Sequence, residues 1–331
     1  MSQALHRFTL LVTGATFVLI VAGALVTSHD AGLAAPDWPL SFGQVFPRMV
    51  GNLFWEHGHR LIATSVGFLT VVLVLWLHLG QLLTRLGRWL GRPELINRGS
   101  VSGESRKWVR QLGLVALAAV IAQGLLGGLT VKLLLPLWVS SAHATLAQLF
   151  FCTMVSLSVF TSPGWFLKRE AVAETEAPSL RYLCAVACVM ILAQLVLGAT
   201  LRHSATWDQH LPTALLLAHI GGALLVTVIL AGVCFVTWQR HDGSYLRRPV
   251  MIAAGLLGLQ LSLGIAAYVT RTWSPNDPQP LNPMVAITVA HVACGALVFA
   301  STIVLTLRSW HVLQAADSTS EFSMKTQRAM G

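Results

Sequence analysis

Eight apolar runs, each long enough to cross a bilayer, constrain this chain more than any other feature. They fall near residues 8–28, 52–80, 110–131, 139–160, 181–201, 213–238, 249–270 and 286–309, and a spanning helix needs about 20 apolar residues. Hydrocarbon offers no water to backbone N–H and C=O groups, so such runs must close their own hydrogen bonds as helices. The expected fold class is an all-α integral membrane protein with eight transmembrane helices. Composition agrees: 11% of residues are charged and the mean hydropathy is +0.67, against about 25% charged in a soluble domain.

The charges are sorted by loop. Net charge is +9, which in a soluble protein would suggest a polyanionic partner. Of the 22 Lys and Arg, only Arg48, Lys132, Arg202 and Arg271 belong to one set of loops; Arg60 lies within a helix and 17 belong to the other set. This is the positive-inside pattern. It places both termini in the cytoplasm, loops 81–109, 161–180 and 239–248 inside, and loops 29–51, 132–138, 202–212 and 271–285 outside. The anionic inner leaflet accounts for the basic balance, so the lipid bilayer is the expected partner and nucleic acid is not. All eleven Trp lie near the end of a run or in a loop, where interfacial anchors belong. Loop 81–109 and the tail after Trp310 read as polar connectors. The first run is too long for a cleavable signal peptide and no convincing cleavage site follows it. The five Cys all fall in apolar runs and read as small hydrophobic residues, with no disulfide expected in the outer loops.

An internal repeat organises the runs. The third, fifth and seventh contain Gln-x-x-x-Gly (Gln123–Gly127, Gln194–Gly198, Gln260–Gly264), and the first has Leu19–Gly23 in the same place. Each is followed, across an outer loop, by a run bearing one histidine: His59, His143, His219 and His291. Four residues after each histidine stands a small residue: Ala63, Ala147, Ala223 and Gly295. A two-helix unit thus occurs four times, grouped as two pseudo-repeated four-helix halves, 1–165 and 166–331. Small residues at this spacing let helices approach closely or leave room for a flat macrocycle.

Ionisable groups inside a membrane are costly and mark functional sites by default. Each of the four histidines enters its helix roughly five to eight residues from the outer end, about 8–12 Å deep at 1.5 Å per residue. A single one could pack or hydrogen-bond; four at matched depth, one per unit, point to haem-iron ligation. Facing helices of a bundle can supply one ligand from each side, pairing His59 with His143 and His219 with His291. Zinc or copper is disfavoured, because no Cys, Asp or second-His cluster completes either set. Lys132, Arg202 and Arg271 sit at outer helix ends, where they could meet haem propionates or snorkel to the interface. Arg60 could reach a propionate too, or pair with Glu56 at i, i+4. His57 lies about 160° around the helix from His59 and is left out of the ligand set.

The halves differ in one respect. Only the first has a carboxylate, Glu56, one turn before its histidine; Ser140, Leu216 and Thr288 stand at the equivalent positions. A carboxylate there could accept a proton or stabilise developing positive charge. Outer loop 29–51, with Pro36, Pro39 and Pro47, cannot continue a helix. It reads equally as a lid over the first half or as a structured connector.

Gly23-Ala-Leu-Val-Thr-Ser28, Ala31-Gly-Leu, Pro36-Asp-Trp-Pro39 and Glu56-x-x-His59-Arg60 resemble the signature of the haem A synthase family, and the likeness extends over about residues 8–310. The resemblance implies an eight-helix oxidoreductase of a bacterial inner membrane, with its haem sites toward the periplasm. It implies oxidation of the C8 methyl of haem O to the formyl of haem A by successive hydroxylations, for biogenesis of haem-copper cytochrome oxidase. His59 and His143 then match the substrate-haem ligands, Glu56 the catalytic carboxylate, and His219 and His291 the haem b ligands. A quinone as electron acceptor, haem O synthase and oxidase assembly factors are the implied partners. Some members carry a Cys pair in the first outer loop; 29–51 has none. The alternatives are a di-haem b electron carrier or quinol-linked cytochrome, and a haem transporter. A prenyl transferase is disfavoured, since the inner loops lack an Asp-rich diphosphate–magnesium motif.

Overall fold

The computed structural model describes residues 1–94, 107–167, 172–174, 176–208, 212–273 and 282–315. Arg98, Arg106 and His210 lie outside the described residues, as do the rest of 209–211 and 274–281 in the outer loops and the tail from residue 316. Among the described residues eight long helices dominate: α1 Gln3–Ser28, α2 Asn52–Leu90, α3 Lys107–Lys132, α4 Leu137–Thr161, α5 Leu180–Asp208, α6 Thr213–Arg240, α7 Ser244–Thr272 and α8 Asn282–Val312. Each is long and apolar enough to cross a membrane, which makes this an integral membrane protein. Leu10, Val18, Phe68, Leu75, Val189, Val228 and Ile265 are exposed on their flanks, as the solvent is lipid and not water.

Helix neighbours form two closed rings. In the first, α1 packs on α2, α2 on α3, α3 on α4 and α4 back on α1; in the second, α5 to α8 repeat the same order. The histidine-bearing helices α2 and α4 thus occupy opposite corners of one ring, and α6 and α8 opposite corners of the other. The rings meet through α1, α4, α5 and α8, with Ile20, Phe151, Val155, Ala296 and Ala300 buried between them.

Packing is uneven along the bundle axis. The end carrying segment 29–51 is called the upper end below. The lower half of the first ring is filled by Val12, Val66, Leu73, Val109, Ala116, Met154 and Leu157, and that of the second by Leu180, Cys184, Ile191, Leu230, Val233, Val250 and Leu305. Above this layer the core thins. Among the described residues, none on α3 is buried between Ala116 and Gly128, none on α6 before Val226, and none on α7 after Ala253. The histidines lie in this thinner layer. The five cysteines are free thiols within helices.

Three features depart from the expected boundaries. Helix α2 runs ten residues past 80, because Leu83, Leu86 and Leu90 keep a helical period among Arg85 and Arg88. It stops at Gly91, whose φ of 63° allows Arg92 N–H to donate back to the Gly87 carbonyl at 2.8 Å, a Schellman-type end. Helix α7 starts at Ser244, five residues before Pro249. Proline cannot donate to the carbonyl four residues back, and Arg308 donates to that Tyr245 carbonyl at 3.0 Å. Third, short parallel strands β1 (Val172–Glu174) and β2 (Leu313–Ala315) pair at the lower end. Glu174 then caps α5, accepting from Ser179 Oγ at 2.6 Å, Leu180 N at 2.7 Å and Arg181 Nε at 2.8 Å.

Candidate functional site

The same small device is built four times. The glycine that ends each Leu/Gln-x-x-x-Gly step faces the imidazole of the next helix. A Cβ placed on Gly23, Gly127, Gly198 or Gly264 would stand 3.2, 3.1, 3.0 or 3.0 Å from Cε1 of His59, His143, His219 or His291 respectively. The ring edge therefore rests on helix backbone, a position that any side chain would fill. All four histidines lie six to nine residues into their helices, and their residues are half-buried. Sequence reading took the small residues either as spacers between helices or as room for a flat macrocycle; the structure places the imidazoles against these four glycines.

The glutamines complete the device in three of the units. Gln123 Nε2 reaches a ring nitrogen of His143 at 3.4 Å and donates to its backbone carbonyl at 3.0 Å. Gln194 Nε2 contacts the His219 ring at 3.0 Å and its carbonyl at 2.7 Å. Gln260 Nε2 contacts the His291 ring at 3.2 Å. A four-residue step puts Gln and Gly on one helix face, which is how both reach the same histidine. The spacing was visible in the sequence, but the carboxamide's role was not. Of the residues four after each histidine, Gly295 lies beside the Gln260 amide; Gly222, next to Ala223, leaves room for that of Gln194.

The residues present fit a haem. The rings of His219 and His291 face one another across the second ring of helices, with centroids 6.4 Å apart and planes at 71°. A metal–imidazole bond of about 2 Å on each side, plus the half-widths of the two rings, gives roughly the same span. The side-chain Nδ1 atoms of His59, His143 and His291 are buried without a partner, and buried polar atoms in proteins normally have one. Among the described residues no compact group of three or more His, Cys, Asp or Glu could hold a bare metal ion.

Segment 29–51 folds over the upper end of the first ring and is fastened to the first turns of α2. Buried Glu56 accepts from the Ala35 N–H at 2.8 Å through Oε2, and its Oε1 pairs with Arg60. Arg60 also donates to the carbonyls of Asp37 at 2.9 Å and Leu40 at 2.6 Å and to Ser41 Oγ at 3.1 Å. His57 is a fastener as well, donating from Nε2 to the Val45 carbonyl at 3.0 Å and accepting from Ser41 Oγ at 2.9 Å. Trp38 lies flat against α3, where a Cβ on Gly128 would stand 2.7 Å from its ring. Asp37 accepts from the N–H groups of Phe42 at 2.7 Å and Gly43 at 2.8 Å. The Gly43 bond, followed by that from Phe42 and by the Arg60 charge, holds its carboxyl below the usual range. Sequence reading had weighed Arg60 as a propionate contact or as a partner of Glu56; here it is the partner of Glu56 and a clamp on three loop residues.

The other cations cluster at the upper end. Arg202 on α5 donates to Ser28 Oγ at the end of α1 at 3.0 Å, tying the two rings together. Arg202 and Arg271 lie within electrostatic range of each other and of Asp30. Lys132 ends α3 as an exposed residue.

Fold and site define a polytopic membrane protein that presents imidazoles in pairs from opposite corners of helical rings. Comparison with known proteins narrows that class. A family profile described as cytochrome oxidase assembly protein matches residues 48–207. The haem A synthase of Symbiobacterium thermophilum is 25% identical over 281 residues, covering 79% of this chain and 85% of the relative. That of Shewanella oneidensis is 24% identical over 352 aligned positions, covering 89% and 94%. That of Caulobacter vibrioides is 27% identical over 167, covering 47% and 40%. Over most of its length the chain is similar to haem A synthases.

Proposed function

We propose that this protein is a haem A synthase, oxidising the C8 methyl of haem O to a formyl group by successive hydroxylations, in service of cytochrome oxidase biogenesis. Similarity to haem A synthases over most of the chain supports the activity. The observation that carries the assignment of residues is the repeated glycine–imidazole cradle, with two of its four rings facing at 6.4 Å.

The work divides between the halves. In residues 166–331, His219 and His291 hold a haem b, which when bound supplies one-electron transfer. In residues 1–165, His59 and His143 hold haem O as substrate, one ring from each of two opposite helices. Glu56 stands one turn from His59 on α2 and is fixed by Ala35 and Arg60. Oxidation of a methyl carbon releases protons and builds positive charge, and a carboxylate already oriented by two donors opposes that charge without reorganisation. It is the catalytic residue of this reading. Segment 29–51 covers the site, and water supplies the oxygen of each hydroxylation when a quinone takes the two electrons. Arg202 and Arg271 offer charge-assisted hydrogen bonds to carboxylates at the upper end, with Lys132 at its rim; Arg60 would reach a propionate only by giving up loop contacts. The upper end faces the periplasm and the basic lower loops face the cytoplasm, in a bacterial inner membrane. A quinone takes the electrons, and haem O synthase and oxidase assembly factors stand on either side of the reaction.

The test is mass analysis of haem extracted from a host that makes haem O but lacks its own haem A pathway. Haem A, or the singly hydroxylated product, should appear only when this protein is expressed. Folded, haem-loaded protein yielding only haem B and unchanged haem O would overturn the reading in favour of a di-haem electron carrier.

A further inference from the structure

Segment 29–51 has two faces. Its inner side is buried and tied to α2, but Phe42, Val45, Phe46 and Val50 stand exposed, Phe46 at 79%. Single apolar residues are ordinary on a protein surface, whereas a contiguous group marks an interaction site. The backbone is strained to present one of them. Phe42 has a φ of 52°, a left-handed conformation that bulky residues rarely take. Asp37 and the paired turn Ser41–Gln44 hold it there. From Trp38 to Gly51 the one charged residue is Arg48.

The place of the segment on α2 identifies what that group meets. Helix residues advance about 100° each, so Phe54, Leu61, Phe68 and Leu75, seven apart, form one exposed stripe. Buried Val66 and Leu73 lie on the opposite side, in the interior of the first ring. His57 lies about 60° from Phe54, within the sector of the stripe. It is nevertheless only 3% exposed, because Ser41 and Val45 cover its ring. Residues 41–45 therefore lie on the outer flank of α2, the flank that lower down meets lipid, while Trp38 crosses to α3. The height agrees. His57 stands nineteen residues above Trp76, about 28 Å along the helix, and the hydrocarbon layer is about 30 Å thick with headgroups beyond it.

We infer that Phe42, Val45, Phe46 and Val50 form an interfacial foot that rests in the headgroup layer of the leaflet at the upper end. The partner of this surface is lipid, and the surface continues the lipid-facing stripe of α2. Apolar side chains lying at that depth gain the burial that the protein itself does not give them, and Arg48, exposed among them, suits lipid phosphates. The segment is then held on its inner side by α2 and on its outer side by the bilayer. This contact stands whatever the first ring binds.

The experiment places p-benzoylphenylalanine at Phe42 or Phe46 of the full-length protein, in nanodiscs of phosphatidylcholine and phosphatidylglycerol. After irradiation and digestion, mass spectrometry should find peptides carrying one phospholipid at both positions, in yields close to that from the same probe at Phe68. The reference is Asp242, whose side chain is 99% exposed. A lipid yield at 42 and 46 no higher than at Asp242, or cross-links to a second copy of the chain in place of lipid, overturns the inference. Phe42→Ser combined with Phe46→Ser tests it without a probe. Hydrogen exchange across 41–46 in nanodiscs should rise about tenfold or more, with exchange in the lower halves of the helices unchanged. Unaltered exchange at 41–46 would mean that the two rings meet nothing outside the protein, and the inference would fall.

Discussion

Replacing Gly264 by alanine isolates the cradle from the fold. The new Cβ would stand 3.0 Å from Cε1 of His291, whereas carbon–carbon contacts settle at about 3.5–4.0 Å. The ring must therefore retreat by roughly half an ångström or more. Swinging it off its rotamer costs about 0.5–1.5 kcal/mol. Its contact with Gln260, already 3.2 Å, stretches beyond useful range at a further cost of about 0.5–1.5 kcal/mol. Against this, alanine is favoured over glycine within a helix by about 1 kcal/mol. Folding stability should change by about 1 kcal/mol or less, while the haem site loses about 1–3 kcal/mol, roughly 10- to 100-fold in haem affinity. The assay is haem stoichiometry by absorbance, alongside thermal unfolding of the apoprotein. Gly255→Ala and Gly258→Ala on the same helix are the controls, since a Cβ at either meets nothing within 4 Å. If Gly264→Ala keeps haem with wild-type affinity and spectrum, or if all three variants lose it alike, the cradle argument is wrong.

Glu56→Gln should retain haem at both sites yet yield less than a hundredth of the wild-type formyl product, read by mass analysis of extracted haem; undiminished product would remove Glu56 from the chemistry. Gly128→Ala should displace Trp38, whose ring stands 2.7 Å from the added Cβ, and raise hydrogen exchange across 35–46 without loss of haem from the second half. Asp37 gives the loop a pH dependence. Its carboxyl is held below the ordinary aspartate value, first by the Gly43 N–H, so its contribution is fully present above about pH 4 and is lost as pH falls through the lower folded value. Exchange at Phe42 and Gly43 should accelerate only under that acidic condition, and Asp37→Asn should remove the dependence.

The spans were legible because membrane burial demands long apolar runs, and all eight helices contain the segments that hydropathy marks. Their ends were less so. The continuation of α2 to Leu90 depends on a periodic face weaker than the apolar run before it. The start of α7 before Pro249 depends on Arg308, 59 residues further along the chain. The pairing of Val172–Glu174 with Leu313–Ala315 is a long-range contact of short segments that carry no strand signal of their own. At the site, the histidines stood out because ionisable groups are rare in apolar runs. The glycines and glutamines were noticed as a pattern, but a period shows which residues share a face and not what the face meets. His57 shows the limit from the other side. Its angle excluded it from the ligand set, while its tie to Ser41 and Val45 required the loop's fold.

The asymmetry between the halves follows from where segment 29–51 is fastened. Glu56, His57 and Arg60 all hold the segment, and His59 projects from the same two turns of α2. These turns form one hydrogen-bonded stub, so the loop and the imidazole cannot move independently. Loosening the loop breaks the Ala35–Glu56 and Arg60–carbonyl bonds and lets the stub shift; a shift of the stub carries the ring off Gly23. The loop's fastening, the carboxylate and one of the four cradled histidines therefore lie on one short stretch of helix. Opening of the segment and displacement of the His59 ring from Gly23 become a single event. Among the described residues the second half has no counterpart of this segment.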